Sequence, residues 1–171
     1  EVIVRINSIE TDFWKKDLDA IIPVKPAMIM PPKTGCAEDV RCVDEYISQL
    51  EEKLGWERNT VRLIPLIETA LGVENAFAIA SASDRVAAIF LGGEDLTADL
   101  QCKRTKEGHE INYARCRMVC AARAAGVEVY DTPFTDVNDD EGIYIDARYA
   151  KSLGFTGKSS ISPRHVKAIN E

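Results

Sequence analysis

Short apolar runs and amphipathic stretches alternate along this chain from one end to the other. Residues 2–6, 27–30, 61–67, 87–91 and 127–130 are apolar runs of the kind that form buried strands, and a sixth begins at Phe155. Between them, apolar residues recur every three or four positions. Phe13, Trp14, Leu18 and Ile21 do so in 13–21, and Val40, Val43, Ile47, Leu50 and Leu54 do so in 38–54. The same reading predicts helices over 73–82, 112–125 and 139–153. Asp12 is a candidate cap for the first helix, Gly126 ends the long alanine-rich one, and Pro163 opens a last one. Pro65, inside the third run, argues against a central position in a ladder. Strands separated by helices of ten or more residues satisfy what parallel pairing requires. The class is therefore α/β with a parallel sheet.

Six strands leave two arrangements: an open sheet, or most of a (β/α)8 TIM barrel whose first one or two βα units lie outside the sequence. A full barrel takes ~250 residues, and this chain has 171, read as one domain over 1–171. With 46% hydrophobic and 29% charged residues it has the make-up of a soluble globular protein. No apolar run approaches the ~20 residues of a membrane helix, and no signal-peptide pattern is visible, so a cytoplasmic protein without membrane contact is expected. The net charge of −7 argues against nucleic-acid binding, which needs clustered Lys and Arg. Cys36, Cys42, Cys102, Cys116 and Cys120 include no CxxC pair. They read as reduced packing residues, with a zinc site the minor alternative. His109 and His165 fall on a loop and a terminal helix and read as surface residues.

Polar residues gather just after the apolar runs: Arg5 with Asn7, Lys33, Glu68, Glu94 with Asp95, Asp131, and Lys158 with Ser159 and Ser160. In a parallel barrel that rim carries the chemistry. The opposite ends, such as Asp84-Arg85, are expected to face water. Glu68 and Asp95 end two strands that are one strand–helix unit apart, and the Gly92-Gly93 turn delivers the second acid. Together they suit Mg2+, which takes one or two carboxylates and leaves positions for substrate oxygens. Such an ion would polarise a substrate carboxylate and its neighbouring keto or hydroxyl oxygen. Arg5 offers a planar fork for the same oxygens, and Lys33 a further cation for substrate. Carbon–carbon bond cleavage or formation is the chemistry these groups suit. Each residue also has a structural alternative. Arg5 could pair with a helix carboxylate, Lys33 could be a solvated loop cation, and Glu94 and Asp95 could cap a helix that begins near Leu96.

Several segments, in order along nearly the whole chain, resemble the citrate lyase β-subunit (citryl-CoA lyase-like) branch of the HpcH/HpaI aldolase superfamily. They are VRINSIETDFWKKDLDAI, AMIMPPKTGCAEDV, IPLIETALGVENAFAIA, LGGEDLTADL, YARCRMVCAARAAGVEVYDTPFTDVNDDEGI and AKSLGFTGKSSISP. The resemblance implies a magnesium-dependent TIM barrel of the phosphoenolpyruvate/pyruvate type, assembled as a homotrimer or homohexamer. Its implied substrate is an acyl-CoA or acyl-carrier-protein thioester of the citryl type, cleaved to acetyl thioester and a 2-keto acid such as oxaloacetate. Glu68 of IET and Asp95 of GGED match the metal carboxylates, and Arg5 of RIN matches the arginine on the substrate oxygens. Two rivals share the fold: an aldolase acting on free 4-hydroxy-2-keto acids, and a non-catalytic thioester-binding subunit. The family's leading units, with an acidic LEDAV-like segment, have no counterpart here. Ile161-Ser162-Pro163 also stands where the family commonly reads Ile-His-Pro. The proton donor is expected outside this sequence or on a neighbouring subunit.

Overall fold

The strands of the computed structural model, which describes residues 2–171, follow one another in chain order. They are β1 (Ile3–Arg5), β2 (Met28–Met30), β3 (Arg62–Leu63), β4 (Leu66–Ile67), β5 (Ala88–Leu91), β6 (Glu128–Asp131) and β7 (Gly157–Lys158). Every ladder is parallel. β3 and β4 are two halves of the apolar run 61–67, so the six expected strand positions are all present. This sequential parallel order, with helices between, is that of a TIM-type barrel. Among the described residues β1 and β7 remain edges, so the ring is not closed.

The break between β3 and β4 falls at Pro65 and has a physical cause. Leu63 bridges Val86, whereas Leu66 pairs with Phe90. Three residue steps on one side therefore span four on the other, which makes a one-residue bulge. Pro65 lies in that interval with no N–H to give, and its carbonyl accepts the N–H of Phe90 at 3.0 Å. Beyond the bulge the strand ends are level again, with Gly92 N–H donating to Ile67 O at 2.9 Å.

The helices are α1 (Trp14–Ile21), α2 (Ala37–Lys53), α3 (Ala70–Glu74), α4 (Ala76–Ala80), α5 (Gly93–Asp99), α6 (Asn112–Ala125), α7 (Asp140–Leu153) and α8 (Val166–Asn170). Four of the five periodic residues of 38–54 face inward: Val40, Val43 and Ile47 are fully buried in one core with Leu18, Ile22, Ile29, Leu63 and Ile89, and Leu50 packs against it, whereas Leu54 is exposed. Several details differ from the sequence reading. Phe13, not Asp12, occupies the start of α1, and no side chain caps it. The helix expected over 73–82 is two short ones broken at Asn75, whose side-chain amide leaves to donate to Gly35 O at 2.8 Å. The helix after β5 begins at Gly93, so Glu94 and Asp95 already lie in its first turn.

Four of the five cysteines are exposed and Cys36 is half-buried, all of them free, so the reading as buried packing residues does not hold. On α6 the inward face is taken by Ala114, Met118, Ala121 and Ala122, which leaves Cys116 and Cys120 outward. His165, expected at the surface, is fully buried, with its ring 6.3 Å from that of Phe134.

The expectation that Asp84-Arg85 faces water fails for the arginine. Arg85 is fully buried. Its Nε donates to Asp44 Oδ1 at 2.8 Å, Nη1 to Glu51 Oε1 at 2.9 Å and Val61 O at 2.6 Å, and Nη2 to Glu51 Oε2 and Ser48 Oγ, both at 2.9 Å. All five guanidinium protons are thus engaged. Asp44 and Glu51 are seven residues apart on α2, so they share a face. Burial alone would raise the Asp44 carboxyl, but the Ser83 hydroxyl and Arg85 hold it below its usual range. Removing one partner of such a cluster strands the others' charges in the interior. Arg85→Met is therefore expected to lower unfolding free energy by about 3–5 kcal/mol, measured by urea denaturation, whereas replacement of exposed Arg41 should change it by under ~1 kcal/mol.

Candidate functional site

Glu68 follows β4 directly, and its buried side chain reaches across the end of β5. Its Oε1 accepts the backbone N–H of Lys33 at 2.9 Å, a donor presented by the left-handed backbone of that residue (φ 52°). Its other side lies against Gly92: a Cβ there would sit 2.7 Å from Glu68 Cβ and 2.8 Å from Oε2. Glycine at 92 is therefore required by close approach. Asp95, exposed in the first turn of α5, lies near enough to Glu68 to raise its carboxyl. Burial pushes Glu68 up. The Lys33 N–H and the positive charge of Arg5 pull it down, the neighbouring Asp95 raises it again, and the result is about 7.

These groups border a hollow of about 640 Å³ on the inner side of the sheet. Arg5, Glu68, Glu94 and Asp95 supply charge at its rim, and Met30, Leu66 and Phe90 supply apolar wall. Among the described residues no cluster of three or more His, Cys, Asp or Glu side chains forms a metal cage. Two carboxylates on one hollow, one of them kept from ionising freely by burial and then by the other, form a donor set suited to a hard cation that retains waters. The proton on Glu68 is what such a cation would displace. Softer metals would want sulfur or imidazole ligands, which this set lacks.

The remaining rim residues fall into different roles. Arg5 ends β1 at the hollow and makes no ion pair among the described residues. Lys33 contributes its backbone N–H, and its side chain is not among those lining the hollow. Glu94 is largely solvent-exposed and pairs with Arg104 at 3.4 Å. Asp131 is fully buried and receives Arg115 Nε at 3.0 Å, Arg115 Nη2 at 2.8 Å and Lys158 Nζ at 2.7 Å. Ser159 lines the hollow, while Ser160 Oγ donates to Ser162 O at 2.5 Å. Ser162 Oγ in turn accepts from Arg164 N at the turn over Pro163–His165.

Sequence reasoning passed over Thr132, Arg115 and Asp146. A signal existed for the last two. Arg115 stands among Ile111, Ala114, Met118 and Ala122, and Asp146 stands between Ile143 and Ala150, so each is a charge on an apolar helical stripe. Nothing local marked Thr132.

The sequence matches the family model described as HpcH/HpaI aldolase/citrate lyase over residues 1–163. It is 40% identical over 171 residues to the citrate lyase subunit beta of Leuconostoc mesenteroides subsp. cremoris, covering 100% of this chain and 57% of that protein. It is 34% identical over 188 residues to an L-malyl-CoA/beta-methylmalyl-CoA lyase of Cereibacter sphaeroides, covering 98% and 59%. The fold is similar to that of the protein CitE from Mycobacterium tuberculosis solved with magnesium, acetoacetate and coenzyme A. The TM-score is 0.80 at 30% identity, over 98% of this chain and 58% of that one. The chain thus spans somewhat more than half the length of these relatives.

The raised Glu68 carboxyl makes a prediction about the cation-free protein. Its ordinary value is 4.5 and its folded value about 7, so between these the native state holds the extra proton. Stability then falls as pH rises through that window and levels off above it. Glu68→Gln removes the ionisation and keeps an oxygen for the Lys33 N–H. In EDTA the variant should be more stable than the parent near pH 8 by about 1–2 kcal/mol, discounted for solvent on the open side. Urea denaturation near pH 4 should show no such gain.

Proposed function

The chain belongs to the HpcH/HpaI aldolase/citrate lyase family, and we propose that its strand-end site cleaves the carbon–carbon bond of a 3-hydroxy-acyl thioester with Mg2+. The substrate is of the citryl-CoA or citryl-carrier type, and the products are an acetyl thioester and a 2-keto acid such as oxaloacetate. The observation that carries this reading is that Glu68 and Asp95, from successive βα units, border one hollow. Likeness to a citrate lyase subunit and to a malyl-CoA lyase supports the thioester.

Glu68 and Asp95 would hold the metal. When bound, Mg2+ would supply Lewis-acid polarisation to the oxygens of the keto-acid half. Arg5 faces the same hollow from β1 with its guanidinium unengaged by any described carboxylate, and its planar fork would neutralise charge developing on the reacting oxygens. Met30, Leu66 and Phe90 keep water from one side, which strengthens these electrostatic contacts. Lys33 acts through its backbone: by fixing Glu68 Oε1 it leaves the second carboxylate oxygen directed over Gly92.

Calorimetric titration of oxaloacetate with and without Mg2+ tests the reading. The parent protein should bind the keto acid only with the metal, and Glu68→Ala and Asp95→Ala should each abolish that binding. Unchanged binding in either variant rejects the metal assignment. Gly92→Ala, which drives a methyl into Glu68, should weaken the metal-dependent binding at least tenfold. Release of acetyl-CoA from citryl-CoA separates the thioester lyase from an aldolase of free keto acids and from a binding subunit.

A further inference from the structure

Glu68 and Asp95 are held by different devices. Glu68 is fixed from within its own side of the sheet, by Lys33 N–H and by the bare backbone of Gly92. Among the described residues no hydrogen bond or ion pair of this kind restrains Asp95, and its place relative to Glu68 depends on where α5 begins.

That starting point is docked on β6. Gly93, the first residue of α5, has a buried N–H that no carbonyl of its own helix can serve. It donates to Thr132 Oγ1 at 2.9 Å, across 39 residues of sequence. The fit leaves no space: a Cβ on residue 93 would lie 2.8 Å from Thr132 Oγ1 and 3.1 Å from its Cγ2. Thr132 is itself clamped. Its carbonyl accepts Lys158 Nζ at 2.6 Å, and the same ammonium reaches Asp131 Oδ2 at 2.7 Å and Asp146 Oδ2 at 2.6 Å. Arg115 completes a buried group of two cations and two anions. Two of the Lys158 contacts, to Asp131 Oδ2 and Thr132 O, are hydrogen bonds, and the one to Asp146 is an ion pair. Although Lys158 borders the hollow, these contacts tie its ammonium to the protein's own framework.

We propose that Thr132, clamped by Lys158, is a positioning residue for Asp95 that sets the distance between the two site carboxylates. This rests on the metal reading of Glu68 and Asp95. Mg2+ accepts only near-octahedral geometry at short distances, whereas Ca2+ tolerates longer and irregular ones. A loosened α5 start should therefore cost Mg2+ more than Ca2+, so Thr132 tunes selectivity between them as well as affinity.

Thr132→Val keeps the shape and removes the acceptor, while Thr132→Ser keeps the acceptor. Titrating Mg2+ and Ca2+ by calorimetry, and following exchange of the Gly93 amide by NMR without metal, decides the matter. Thr132→Val should weaken Mg2+ about tenfold, the cost of leaving one buried N–H unpaired. Ca2+ should be affected less, and the Gly93 amide should exchange faster. Thr132→Ser should stay near the parent in all three. Thr132→Ala carries the same expectation as Thr132→Val, should the latter not fold. Equal losses of both cations, an unchanged Gly93 amide, or a Thr132→Ser variant as impaired as Thr132→Val would overturn the proposal. If the parent binds neither cation, the metal reading falls. Selective loss of Gly93 protection in Thr132→Val would then still uphold the docking role, and its absence would remove it.

Discussion

A carboxylate taken out of water must have its charge answered, and the upper end of this fold is arranged around that demand at Glu68. One oxygen is met by the backbone N–H of Lys33, a residue in the left-handed conformation. The other has an acid for a neighbour and a distant cation on β1. Such a balance holds its carboxyl at about 7, well above the ordinary 4.5. The bulge at Pro65 serves the same end. Without the extra residue in β5, Gly92 would not come level with Ile67, and a one-residue slip would turn the following side chains to the opposite face.

Two buried ion clusters bracket the sheet. Below it, Arg85 joins α2 to the starts of β3 and β5 through Asp44 and Glu51. Above it, Arg115 and Lys158 join α6, α7, β6 and β7 through Asp131 and Asp146. Neither cluster needs to add net stability over an apolar core, since desolvation offsets much of the attraction. What both supply is direction: charged forks accept their partners in few geometries, so helices are held at defined heights against the strand ends. The upper cluster passes that definition to the site through Thr132.

Much of this was legible in the sequence. The alternation of periods located all six strand positions and the long helices, because strands and helices bury their apolar residues at different spacings. Glu68 and Asp95 were legible as a pair because strand ends in parallel α/β proteins share a rim, and Arg5 and Lys33 because they follow apolar runs. Lys33 shows the limit: its place on the rim was visible, but not that its backbone, more than its side chain, meets Glu68. Arg85 shows another. Its position before a strand suggested solvent, and only the partners seven residues apart on α2 explain its burial.

The order of hydrophobic positions by itself determined the fold class and the places of the strands, since these depend on period and on the direction of the chain. Distances between residues far apart in sequence were decided by the tertiary structure alone. The Gly93–Thr132 contact spans 39 residues and the Lys33–Glu68 contact spans 35. Both arise from how neighbouring strands and helices seat on one another, and a local pattern of polar and apolar residues carries no record of that seating.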